Sequence, residues 1–206
     1  MVADAYDFWL LDLDGTLVDV EPAYVQEVVG EVGARLGYDF SEREAASIWH
    51  GFGTDPNQPI ADAGLDPGRF WETFHEVEDP IARAESTFLY DDAAFVADLD
   101  RPTGLVTHCQ RHLTDPVLDR LDIRNWFDSV VCCTDETGWK PDPTPVELAM
   151  ADLGAEGEGV LAGDGVHDVG AAWNAGLDAV HVERHDPAVR GQCVLGDHRV
   201  EGFDEF

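Results

Sequence analysis

Short apolar runs recur along the chain, and amphipathic stretches fall between them. Phe8–Leu11, Gly104–Thr107, Ser129–Cys132, Gly159–Ala162 and Ala179–Val182 are too brief for helices and are dominated by apolar residues. They read as buried strands. Helical patterning precedes the second run at Asp91–Leu99 and follows it at Pro116–Leu121. It returns at Pro143–Leu153, opened by Pro-Thr-Pro, and at Val169–Ala175. Strand–helix alternation predicts an α/β core, a parallel sheet with helices on both faces. In such sheets ligands bind beyond the carboxyl ends of the strands.

Between about Asp19 and Tyr90 the pattern changes. Helical periodicity is clear in Ala23–Leu36 and Glu42–Trp49, and no convincing strand interrupts it. Pro22, Gly51, Gly53, Pro56, Pro59, Pro67 and Gly68 divide the interval into short helices. The expectation is a core of residues 1–18 and 91–206 with a small all-helical insertion, 19–90, after the first strand. A chain of 206 residues can bury such a core. The tail after His185 has mixed polarity and carries no functional signal.

Composition narrows the function classes. The chain is 44% hydrophobic, which excludes a disordered acidic tail, yet carries 43 acidic against 12 basic residues, a formal charge of −31. Nothing resembles a basic patch, so nucleic acid is not an expected partner. The acids are spread over the whole length, and Lys140 is the single lysine. Uniform acidity with almost no lysine reads as adaptation to high salt, where ions screen self-repulsion. Cys109, Cys132, Cys133 and Cys193 form no CxxC pair, so neither a disulfide framework nor a zinc site is expected. A basic leader and long apolar spans are absent, and the expected setting is cytoplasmic with no membrane partner. Oligomeric state leaves no trace in the sequence.

The chemistry-bearing residues cluster at strand ends. Asp12-Leu13-Asp14-Gly15-Thr16 follows the first strand, and Thr107 closes the second. Lys140 stands in Gly138-Trp139-Lys140-Pro141-Asp142-Pro143, and Gly163-Asp164-Gly165-Val166-His167-Asp168 follows the fourth strand. In an open parallel sheet these ends share one rim. Several carboxylates, a hydroxyl and one ammonium would converge there. Carboxylates at short range raise each other's pKa unless a cation lies among them, and hard oxygen ligands around a small site favour Mg2+. A calcium loop does not fit, because its glycine belongs at position six and here stands at four. His108 and His112 have helical metal-ligand spacing but lack a third ligand, and read as ordinary histidines.

In order and spacing these four motifs resemble the haloacid dehalogenase superfamily, over most of the chain. Leu17-Val18-Asp19-Val20-Glu21-Pro22 is similar to the start of that family's helical cap. The helical-cap phosphatases, among them phosphoglycolate phosphatases and β-phosphoglucomutase-like enzymes, are the most similar branch. The resemblance implies that Asp12 takes the phosphoryl group as an aspartyl-phosphate. Asp14 would protonate the leaving alcohol and then deprotonate the attacking water. Thr107 would bond a phosphoryl oxygen, and Lys140 would steady the nucleophile. Mg2+ would be held by Asp12, the Asp14 carbonyl and Asp164, with Asp168 in support. It also implies a small phosphorylated metabolite as substrate and a cap that excludes water before transfer. A phosphosugar mutase on the same fold is the alternative enzyme, and a non-catalytic acidic interaction protein the alternative of another class. Asp14 argues against the dehalogenase branch, which lacks that carboxyl. Trp49-His50-Gly51-Phe52-Gly53, Arg43 and Arg69 are the candidate substrate contacts in the cap.

Overall fold

A computed structural model of the protein describes residues 5–52, 55–191 and 193–206. The strands are β1 (Phe8–Leu11), β2 (Val18–Val20), β3 (Thr87–Leu89), β4 (Thr103–Thr107), β5 (Ser129–Cys132), β6 (Gly159–Gly163), β7 (Asp178–Val182) and β8 (His198–Val200). A six-stranded sheet has the order β5-β4-β1-β6-β7-β8 and is parallel throughout. The central strand shows why its sequence is continuously apolar. Trp9 and Leu11 enter one core cluster, while Phe8 and Leu10 enter the other. Both faces of the sheet are covered, so strand alternation leaves no polar side.

The first cluster takes in Ala93 and Val96 from the 3-10 segment Asp91–Asp98, Leu118 from α6 (Arg111–Arg120), and Phe203 from the tail. The second takes in Val146 and Ala149 from α7 (Thr144–Leu153), and Val169, Ala171 and Ala172 from α8 (Val166–Asn174). α6 begins earlier than the sequence predicts. Burial of Leu113, Thr114, Val117 and Leu118 outweighs the bonding break that Pro116 makes inside it.

By contacts the chain divides into two units: Met1–Asp19, Phe88–Arg184 and Val194–Phe206, against Val20–Thr87 and His185–Cys193. The second is built on α1 (Pro22–Leu36), α2 (Glu42–His50), α3 (Asn57–Asp62), α4 (Pro67–Val77) and α5 (Pro80–Ser86), with α9 (Pro187–Arg190) from the later segment. Proline opens α1 and left-handed Gly37 closes it, while Ser41 and Glu44 cap α2 reciprocally. Val25, Val28, Val29, Val32, Ile48, Phe70 and Phe74 form its core.

The interval expected to be free of strands contributes to β2 and β3, which pair as a two-stranded sheet. Each has three residues, too few for a period, and β2 has buried Asp19 at its middle. β8 also escapes sequence reading, since His198 and Arg199 outnumber its one apolar residue. Among the described residues no helix is long and apolar enough to cross a membrane.

Candidate active site

β1 lies between β4 and β6, where the strand order departs in both directions, the point at which open parallel sheets bind ligands. The Asp12 amide donates to the Ala162 carbonyl at 2.9 Å, extending the β1–β6 ladder by one residue. The chain then coils. The amides of Thr16, Leu17 and Val18 converge on the Leu13 carbonyl at 3.3, 2.9 and 3.1 Å. Gly15 makes this possible at φ 75°, and a Cβ there would lie 2.8 Å from the Asp164 carboxyl carbon. Glycine therefore sets both the turn and the closeness of the first motif to the fourth.

Lys140 joins the pieces. Its ammonium donates at 2.6 Å to Asp12 Oδ1, at 2.6 Å to Asp168 Oδ1 and at 2.8 Å to the Val106 carbonyl. All three N–H donors are thus used within the protein. The Lys140–Pro141 peptide is cis. The bond to Val106 anchors the lysine beside Thr107, whose hydroxyl accepts the Cys109 amide at 3.0 Å. Asp168, in the first turn of α8, uses its second oxygen to accept the Gly165 amide at 3.0 Å. A side chain at Gly163 would come within 2.2 Å of the Asp168 carboxyl, so the strand end must be glycine.

Asp12, Asp164 and Asp168 each offer a carboxylate oxygen, all within 4.8 Å of one another. Three carboxylates against one ammonium leave two negative charges, which a divalent cation would balance. The Asp14 carboxyl is partly exposed and is not in this group. Burial raises the Asp12 pKa well above the carboxylate range; Lys140 opposes this, and the Asp168 and Asp164 charges add to it. Asp168 is lowered: burial works against its charge, but the Lys140 charge and hydrogen bond prevail. Burial alone would lower Lys140, yet the charges of Asp12 and Asp168 hold it above its ordinary value. The cluster is an anionic pocket with one fixed cation, suited to a second, mobile one.

Three further residues border this set: Thr16 from the first motif, His108, which the sequence marked only by its spacing from His112, and His181, which carried no sequence signal. The Thr16 hydroxyl lies 3.4 Å from Asp12 Oδ2. His181, fully buried on β7, bonds the Asp164 carbonyl through Nε2 at 3.0 Å. His108 Nε2 is shut from solvent, and burial, aided by the Lys140 charge, pushes its pKa down to about 3. His112 is exposed, so the two histidines of the i, i+4 pair do not act together. In the helical unit, Trp49 packs on Tyr24 and Phe74 with the Arg83 guanidinium 4.8 Å over its ring. Trp49 is therefore a packing residue, and Arg43 and Arg69 are exposed. Gly53 lies outside the described residues.

The chain matches the haloacid dehalogenase-like hydrolase family over residues 9–182. It is 28% identical to pyrophosphatase PpaX of Bacillus velezensis across 84% of this chain and 81% of that protein. A phosphoglycolate phosphatase of Photorhabdus laumondii is 26% identical across 82% of this chain and 76% of its own length. A crystal structure from Lactobacillus plantarum, of a protein provisionally named a phosphoglycolate phosphatase, superposes with a TM-score of 0.80 at 24% identity. That match covers 98% of this chain and 97% of the other, and shows a shared fold. With the family match spanning every strand-end motif described above, the chain belongs to the haloacid dehalogenase-like hydrolases.

Proposed function

We propose that the protein is a Mg2+-dependent phosphatase that hydrolyses a small phosphate monoester through an aspartyl-phosphate on Asp12. The carrying observation is Lys140 bridging Asp12 and Asp168 at 2.6 Å each, with Asp164 in the same carboxylate group. Phosphoryl transfer needs positioning and charge neutralisation above all. Lys140 aims Asp12 Oδ1, leaving Oδ2 for attack on phosphorus. As the phosphorus–oxygen ester bond breaks, Asp14 gives its proton to the leaving alkoxide. The resulting Asp14 carboxylate then takes a proton from the water that attacks the acyl phosphate, freeing Asp12 and inorganic phosphate. Thr107, on the neighbouring strand end, is assigned to a phosphoryl oxygen. Asp12, Asp164 and the Asp14 carbonyl are assigned as Mg2+ ligands, with Asp168 supporting. The ion would supply charge neutralisation for the transferring group.

The helical unit is assigned to substrate choice. The named activities of the relatives, on pyrophosphate and phosphoglycolate, fit small phosphorylated substrates of this kind. The charge of −31 is read as salt adaptation. The test is release of inorganic phosphate from p-nitrophenyl phosphate and a panel of metabolite esters, with Mg2+ or EDTA, in molar KCl. Asp12→Asn should abolish turnover, and Asp14→Asn should lower it by about 10²–10⁴-fold. Near-native rates from the Asp12 variant at saturating Mg2+ would remove the assigned nucleophile. Sugar-phosphate isomerisation without net phosphate release would favour a mutase.

A further inference from the structure

Arg184 stands just past the end of β7, outside every motif named above, yet it grips the loop that follows Asp12. Its Nε and Nη2 both donate to the Thr16 carbonyl, at 3.1 and 2.8 Å. Nη1 pairs with Asp92 at 2.9 Å, and the side chain is only 7% exposed. The guanidinium lies 4.1 Å from the centre of the Tyr90 ring and 5.5 Å from that of Phe203.

Those partners are themselves fixed. Asp92 accepts the Phe203 amide, the Tyr90 amide donates to the Leu17 carbonyl at 3.0 Å, and the Tyr90 hydroxyl donates to Asp19 at 2.8 Å. Thr16 is the residue whose hydroxyl reaches Asp12 Oδ2. A path of direct bonds therefore runs from Arg184 to the Thr16 carbonyl and from the Thr16 hydroxyl to Asp12.

A buried ion pair is weak evidence for stability, since an apolar side chain of similar volume often serves as well. What an apolar side chain does not supply is two donors on one carbonyl oxygen, which fix a loop in direction as well as distance. We propose that Arg184 is a positioning residue: it holds Thr16 and through it aims the Asp12 carboxylate, with Asp92, Tyr90 and Phe203 holding the guanidinium in turn. This gives the tail segment at Phe203 a part in the chemistry. The proposal rests on the phosphatase reading, and on Asp12 as nucleophile, only for its kinetic arm.

The test uses Arg184→Met, Arg184→Lys and Thr16→Val, and the double variant Arg184→Met with Thr16→Val. In Arg184→Met, hydrogen exchange at the Thr16, Leu17 and Val18 amides should quicken about tenfold or more, with β4 and β6 unchanged. Turnover should fall by about 10–10²-fold with KM nearly constant, because a sub-ångström misplacement acts on the transition state. Arg184→Lys should recover part of both effects. The double variant should be no worse than its worse parent, since both changes cut the same path. Unchanged exchange in the Leu13–Val18 segment would overturn the proposal, as would faster exchange across the whole sheet or multiplicative losses in the double variant. A wild type without phosphatase activity would end the functional reading instead, and the exchange measurement would still decide whether Arg184 clamps the loop.

Discussion

Lys140→Met removes the one ammonium from a buried pair of carboxylates while keeping most of the apolar stem. The lysine side chain is 2% exposed and makes two bonds of 2.6 Å and one of 2.8 Å. Breaking a buried pair by deleting one partner costs about 3–5 kcal/mol. For a chain of this size each kcal/mol moves the melting temperature by about 2–4 °C, so the fall should be about 6–20 °C.

The pH dependence gives the prediction its sign. Without Lys140, the largest contribution that opposes the burial of Asp12 and Asp168 is lost, the Gly165 amide on Asp168 remains, and both carboxyls should rise above their unfolded values. A group whose folded pKa is raised contributes stability that is fully present below its unfolded pKa and lost as pH rises through the folded one. The variant should therefore be penalised most near pH 8, and its gap from wild type should narrow toward pH 5. Added Mg2+ should recover part of the loss, because a divalent cation neutralises the same charges. The assay is a melting series from pH 5 to 8 in molar KCl, with EDTA or Mg2+. A gap under about 1 kcal/mol at pH 8, or one that widens on acidification, would refute the account of Lys140 as the charge that makes this burial tolerable.

Gly15→Ala should raise the Mg2+ concentration needed for half activity and cost about 1–2 kcal/mol, because φ is 75° and the new methyl would press on the Asp164 carboxyl; Mg2+ titration and melting check both effects. His108 is neutral in the fold down to about pH 3, below the unfolded value, so wild type should lose stability as pH falls from about 6.5 toward 3, by about 2 kcal/mol at pH 5. His108→Gln should remove that part of the acid slope, and an unaltered slope between pH 6.5 and 5 by chemical denaturation would contradict the assignment. With −31 charges, melting temperature and activity should rise together from dilute buffer to molar KCl, as the Debye length shrinks from about 30 Å to about 3 Å. A flat or falling melting curve across that KCl series would show that the acidity serves something other than salt tolerance.

Much of the fold is local information and was open to the sequence. A parallel strand covered on both faces must be apolar throughout, so β1 and β5 coincide with the apolar runs Phe8–Leu11 and Ser129–Cys132. The carboxylates, the glycines and the lysine of the candidate site were legible for a related reason. They stand where apolar runs stop, and one lysine in an acidic chain is conspicuous. Elements without a local period were not legible: β2 and β3 have three residues each, and β8 is mostly polar.

That the strand-end motifs share a rim was expected from the sequence; the tertiary structure decided which atoms bond there. Lys140 is 128 residues from Asp12 and 28 from Asp168, and strand register, not sequence spacing, brings the three within bonding distance. The same holds for His181 at the Asp164 carbonyl and for Arg184 at the Thr16 carbonyl, 168 residues away. These contacts end on backbone oxygens, which every residue carries, so no pattern of side chains announces them. Sequence determined which residues could do chemistry, because side-chain type is written there. Packing of the sheet and its loops decided which of them are held in place, because a hydrogen bond depends on where two distant segments come to rest.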